Sequence, residues 1–130
     1  MKNTFLLLLA CGVTGCVAPV EVGRRDFQEF CVSCHGDTGA GNGWAAEHLS
    51  RPPADLTTIS QRNNGVFPTN AVMGTIDGYT RRLHGNMTMP EFGPLLQAGD
   101  LVLLETGPGV FTPTPERLVA LAAYIETLQK

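Results

Sequence analysis

Two thiols and an imidazole lie together in the run Cys31-Val32-Ser33-Cys34-His35. On a helix, cysteines three residues apart sit about one turn apart and face the same side. The pattern C-x-x-C-H is the attachment signature for a c-type haem. Each thiol can add across one vinyl group to form a thioether, and the adjacent His35 then becomes the proximal iron ligand. Two rival chemistries fit poorly. A Cys-x-x-Cys redox enzyme needs a βαβ pattern around its motif, and a zinc site needs a second well-spaced ligand pair. The chain offers neither.

The elements that must position these groups read as helices and loops. Gly23 opens a helical stretch in which Phe27, Phe30, Cys31 and Cys34 recur at i, i+3, i+4 and i+7. The segment 36–43 (GDTGAGNG) is glycine-rich and able to wrap closely around a neighbour. It does not read as a phosphate loop, because no strand precedes it and no Gly-Lys-Ser/Thr follows. A short helix is expected from Trp44 to Leu49, stopped by Pro52-Pro53. Asp55 is the expected N-cap of a helix through Gln61 or Arg62, closed by Asn63-Asn64-Gly65. A further helix runs from Asn70 to Ile76 and ends near Gly78, and 80–93 reads as a loop. Periodicity leaves Leu101 to Leu104 open between a short strand and a buried extended segment. Thr114 should cap the last helix with Pro115 at its first position. Leu118, Leu121, Ala122, Ile125 and Leu128 form the apolar stripe of that helix. The expected fold class is all-α with long loops.

The start of the chain reads as an export signal. Lys2 precedes the apolar run Phe5 to Ala10, which is too short to span a bilayer. Val13-Thr14-Gly15-Cys16 resembles a bacterial lipobox, with cleavage before Cys16 and lipid on its thiol; Leu9-Ala10-Cys11 is the second candidate. The expected organisation is a signal peptide at 1–15, a tether at 16–22 and one domain at 23–130. Cys11 then leaves with the signal, Cys16 takes lipid, and Cys31 and Cys34 take haem, so no thiol remains for a disulfide. The formal net charge is −3 from nine Lys+Arg and twelve Asp+Glu. Loss of Lys2 with the signal makes it −4, which argues against nucleic acid as a partner.

The chain resembles the class I single-haem cytochromes c over residues 23–130. Gly23 and Phe27 stand eight and four residues before Cys31, where the family has a glycine and an aromatic. Leu121-Ala122-Ala123-Tyr124 matches the Leu-x-x-Tyr of the family's last helix, which crosses the first through close glycine–aromatic packing. The family's distal ligand is a methionine in a late loop, often followed by proline. Met89-Pro90-Glu91-Phe92-Gly93 fits that description. Met87, His84 and Met73 compete with Met89. In an extended loop Met87 and Met89 point to opposite sides, Pro90 stiffens the loop behind Met89, and Met73 reads as a core residue. His48 reads as a surface histidine. The resemblance also implies a proline carbonyl, from Pro52 or Pro53, accepting the proximal histidine's other N–H. Trp44, Tyr79, Arg51, Arg62, Arg81 and Arg82 are candidates to contact haem propionates.

The function implied is single-electron transfer on one covalent c-type haem, with Cys31, Cys34, His35 and Met89 binding the cofactor and His35 and Met89 ligating its iron. An iron with both axial positions filled has none open for substrate, so the chain reads as a carrier and not an enzyme. The alternative is a haem sensor or peroxidase-like site whose distal position is open or displaceable. Implied partners are a redox donor and acceptor, and a membrane reached through the lipid at Cys16. The expected state is a periplasm-facing monomer or a subunit of a respiratory-type complex.

Overall fold

The computed structural model describes residues 19–80 and 89–130. The expected signal peptide, Cys11, Cys16, Arg81, Arg82, His84 and Met87 lie outside the described residues.

Helix α1 spans Pro19–Phe30 and is followed by the single turn α2, Val32–His35. α1 is already helical at Pro19, ahead of the Gly23 expected to open it. Glu21 adds a negative charge at that end and pairs with Arg24 at 2.7 Å. The last helix, which we number α6, spans Glu116–Thr127 and packs across α1. Gly23 permits the crossing: a Cβ there would collide with the Ala120 carbonyl of α6. Phe27 packs its ring 5.3 Å from that of Tyr124 and is fully buried. Burying such a side chain contributes about 2–3 kcal/mol. Leu118, Leu121, Ala122 and Ile125 bury their part of the stripe expected of α6, while Leu128, just past the helix, is half-buried.

Between these helices the chain makes short elements. A 3-10 turn covers Ala46–His48. A second, Leu56–Thr58, runs into α3, Ile59–Arg62. Asp55 caps it, its carboxylate accepting from the Thr57 amide at 2.8 Å. α3 is closed by Asn64 and Gly65, both at positive φ. α4, Thr69–Asp77, ends at Gly78 in the left-handed conformation. α5 is the single turn Gly93–Leu96, and Leu96 is buried in the core.

The fold is mostly helical but not all-α. β1, Leu101–Gly107, pairs antiparallel with β2, Val110–Pro115, in a register set by Leu101 opposite Pro115 and Leu103 opposite Pro113. Alternation along β1 exposes Leu101 and Leu103 and half-buries Val102 and Leu104, the period of a strand. Pro113 is tolerated because a two-stranded sheet has only edge strands. The expected cap of the last helix is also corrected. Thr114 belongs to β2, and its hydroxyl donates to the Thr112 carbonyl at 3.0 Å instead of capping α6. Among the described residues no helix is long and apolar enough to cross a membrane.

Candidate functional site

The motif cysteines and histidine sit where α1 gives way to α2. The Cys31 amide donates to the Phe27 carbonyl at 2.9 Å, as the next step of α1. Its carbonyl then accepts from His35 at 2.8 Å and Cys34 at 3.2 Å. This tight turn brings Cys31, Cys34 and His35 to the wall of one cavity of about 350 Å³. Both thiols are free. Burial, helped by the charge of Asp26 and by Cys34, pushes the Cys31 thiol up to about 12. A thiol held protonated at neutral pH is a poor nucleophile for disulfide exchange.

The glycine-rich segment folds back onto the motif. Gly41 donates to the His35 carbonyl at 2.8 Å, Gly43 to that of Cys34 at 3.0 Å, and Ala45 to that of Ser33 at 2.8 Å. Side chains are excluded at two of these places. A Cβ on Gly43 would collide with the Ser33 carbonyl, and one on Gly41 would meet the Pro53 carbonyl at 2.6 Å. Gly41 also holds φ +81, a left-handed conformation. The Leu56 amide returns to the Gly39 carbonyl at 2.7 Å, which brings residues 52–54 against His35. The His35 Nδ1–H donates to the Ala54 carbonyl at 3.0 Å. The acceptor is therefore Ala54, one residue beyond the two prolines expected to serve. Pro52 and Pro53 line the cavity beside it. This bond fixes the proton on Nδ1 and leaves the Nε2 lone pair for a metal. Burial pulls the imidazole below its ordinary pKa, and the Ala54 bond opposes it only in part, so the ring is neutral at pH 7.

Met89 and Pro90 line the same cavity from a distant part of the sequence. The segment lies against the end of α4: Phe92 N–H donates to the Ile76 carbonyl at 3.0 Å. Gly78 and Gly93 allow the approach, since a Cβ on either would collide with Glu91 or Asp77 respectively. Met73 packs in the core. His48 is exposed beside Glu47. Met87 and His84 lie outside the described residues.

Phe30, Phe92, Leu49 and Leu56 supply most of the remaining wall, and Arg51 is its one permanently charged side chain among the described residues. Trp44 and Tyr79 are exposed and do not line it. Arg62 is engaged elsewhere, with the Thr58 hydroxyl and the Asp55 carbonyl. An apolar cavity bearing two thiols, one oriented neutral imidazole, a thioether and a cation fits a flat apolar macrocycle with an iron centre and anionic side groups. Among the described residues no group of three or more His, Cys, Asp or Glu could hold a metal ion.

Sequence reasoning missed two features. The Ala54 acceptor is a backbone atom and leaves no residue signature. The ion pair of Asp26 with Arg117 was also missed, although an aspartate directly before Phe27, on the packed side of α1, was a usable signal.

A family model described as "Cytochrome C oxidase, cbb3-type, subunit III" matches residues 18–104. The match takes in the motif, the glycine-rich segment and Met89, and leaves β2 and α6 outside. No curated protein matches the chain.

Proposed function

Since the chain belongs to the cytochrome c family described as cbb3-type cytochrome c oxidase subunit III, whose domains transfer electrons on covalently bound haem, we propose that it carries single electrons on one such haem. In this reading Cys31 and Cys34 would hold the haem through thioethers, and His35 and Met89 would ligate its iron. When bound, the group supplies an iron that alternates between Fe(III) and Fe(II). The chain's residues set the conditions for that change. His35 presents a neutral nitrogen of fixed orientation, Met89 presents a sulfur that raises the potential relative to a second histidine, and the apolar wall disfavours the more highly charged oxidised state. The observation that carries the reading is the meeting of all four residues on one cavity, although Met89 stands 54 residues beyond His35.

The same proposal extends to its setting. The chain is exported, attached by lipid at Cys16 to a membrane, and exchanges electrons with redox proteins on the periplasmic side. It works either as a tethered shuttle or as a subunit of a respiratory-type oxidase. The test of ligation is Met89→Ala in the haem-loaded protein. Its reduction potential should fall and its iron should accept carbon monoxide and cyanide. An unchanged potential together with no ligand binding would remove Met89 from the iron.

A further inference from the structure

The Met89 segment is held from outside by a charge pair at the far side of the helix crossing. Asp26 is buried on α1 at 4% exposure, and an unpaired carboxylate there would be costly. Arg117, near the start of α6, answers it with two donors: Nε to Asp26 Oδ2 at 3.1 Å, and Nη2 to Asp26 Oδ1. A third donor, Nη1, reaches the Leu95 carbonyl at 3.1 Å. Leu95 belongs to the single turn α5, whose terminal carbonyls have no intrahelical partner. The guanidinium also lies 5.9 Å from the centre of the Phe30 ring, which is in turn 6.0 Å from that of Phe92. Phe30 and Phe92 both line the cavity.

We infer that the Asp26–Arg117 pair is a positioning device for the Met89 segment, aligning the turn that follows Met89 and the aromatic pair beside it. Asp26 fixes the guanidinium plane. The arm left over then fixes α5 at Leu95, six residues past Met89, while Phe92 is tied to α4 at the other side. Only arginine can do this, because its rigid fork of five donors can serve a carboxylate and a carbonyl at once. A lysine in its place would neutralise Asp26 and leave Leu95 unheld. The inference rests on the reading of Met89 as an iron ligand.

The experiment compares Arg117→Lys, Arg117→Met, Asp26→Asn and Tyr124→Leu in the full haem-loaded protein. Tyr124→Leu weakens the same helix crossing through its contact with Phe27 but touches neither Asp26 nor α5. Three quantities are read: cyanide affinity of the ferric form, the near-infrared band of methionine sulfur on ferric haem, and the urea midpoint. Cyanide competes with the bound sulfur, so a loosened segment tightens cyanide binding. We expect about tenfold tighter binding and a weakened band for Arg117→Lys, and more for Arg117→Met and Asp26→Asn. Tyr124→Leu should lower the urea midpoint and leave cyanide affinity unchanged. Wild-type cyanide affinity in Arg117→Lys and Asp26→Asn, whatever their urea midpoints, would reduce the pair to a structural one and overturn the inference. If Met89→Ala itself left the band and cyanide affinity unchanged, the ligand reading would fall, and the inference with it. A changed Met89→Ala beside unchanged Arg117 and Asp26 variants would sink the inference alone.

Discussion

The His35 segment and the Met89 segment reach the same cavity by different physical routes. Around His35 the positioning is local and made by backbone. Gly41, Gly43 and Ala45 donate to the carbonyls of His35, Cys34 and Ser33, and Ala54 takes the ring proton. Around Met89 the positioning is long-range. Among the described residues it includes a backbone bond from Phe92 to Ile76 and a side chain from α6 that reaches Leu95. A segment stitched by several backbone bonds has one geometry. A segment tied to distant elements can be released without unfolding the rest, which is how stability comes to be uneven within a single fold.

A matched pair of glycine substitutions should break the comparison most visibly. Gly41 and Gly78 both hold left-handed φ, so alanine is strained at either place. At Gly41 the new Cβ also meets the Pro53 carbonyl and Ala54 backbone, which cannot yield. At Gly78 it meets the Glu91 side chain from Cβ to Cδ, which can turn aside only in part. Gly41→Ala should therefore cost about 3 kcal/mol or more, read as a lower urea midpoint and a poor yield of haem-loaded protein. Gly78→Ala should cost about 1–2 kcal/mol and retain haem, while displacing Glu91 tightens cyanide binding. Equal losses from the two, with cyanide affinity unchanged in Gly78→Ala, would erase the distinction between the segments.

A smaller effect follows from pH. Burial lowers the His35 pKa in the folded chain, so the unfolded chain binds a proton there that the folded chain resists. Above an unfolded histidine pKa of about 6.5 the ring is neutral in both states and contributes no slope. As pH falls below that value the folded state loses stability, until the folded pKa is passed. The urea midpoint of the haem-loaded protein should thus be level from pH 7 to 8 and decline toward pH 5. A midpoint that rose on acidification would contradict a buried neutral His35.

Much of the His35 side was legible because its information is contiguous. Five adjacent residues name the chemistry, and glycines a few positions on announce a close wrap. The glycine–aromatic crossing of α1 and α6 was also readable, through the family resemblance that Gly23, Phe27 and Tyr124 carry. The Met89 side was legible as a residue type followed by proline, but what holds it was not. Asp26, Leu95 and Arg117 are far apart in sequence, and nothing local announces that they meet. The hairpin was half visible: Leu101 to Leu104 were open to a strand, while the partner strand carries two prolines that read as helix approach. Thr114 misled in the same way. A threonine before Pro-Glu reads as a cap, but pairing with Val102 engages it as strand.

The central claim is that one iron is held by His35 and Met89 and is closed to outside ligands. It is tested most directly by the absorption spectrum of the purified haem-loaded protein, oxidised and reduced, extended into the near infrared. The account predicts a c-type reduced spectrum, the weak ferric band of methionine sulfur, and no change when carbon monoxide is added. A c-type spectrum without that band, shifting under carbon monoxide, would contradict it. The site would then be a haem with an open position, suited to sensing or peroxidase-like chemistry.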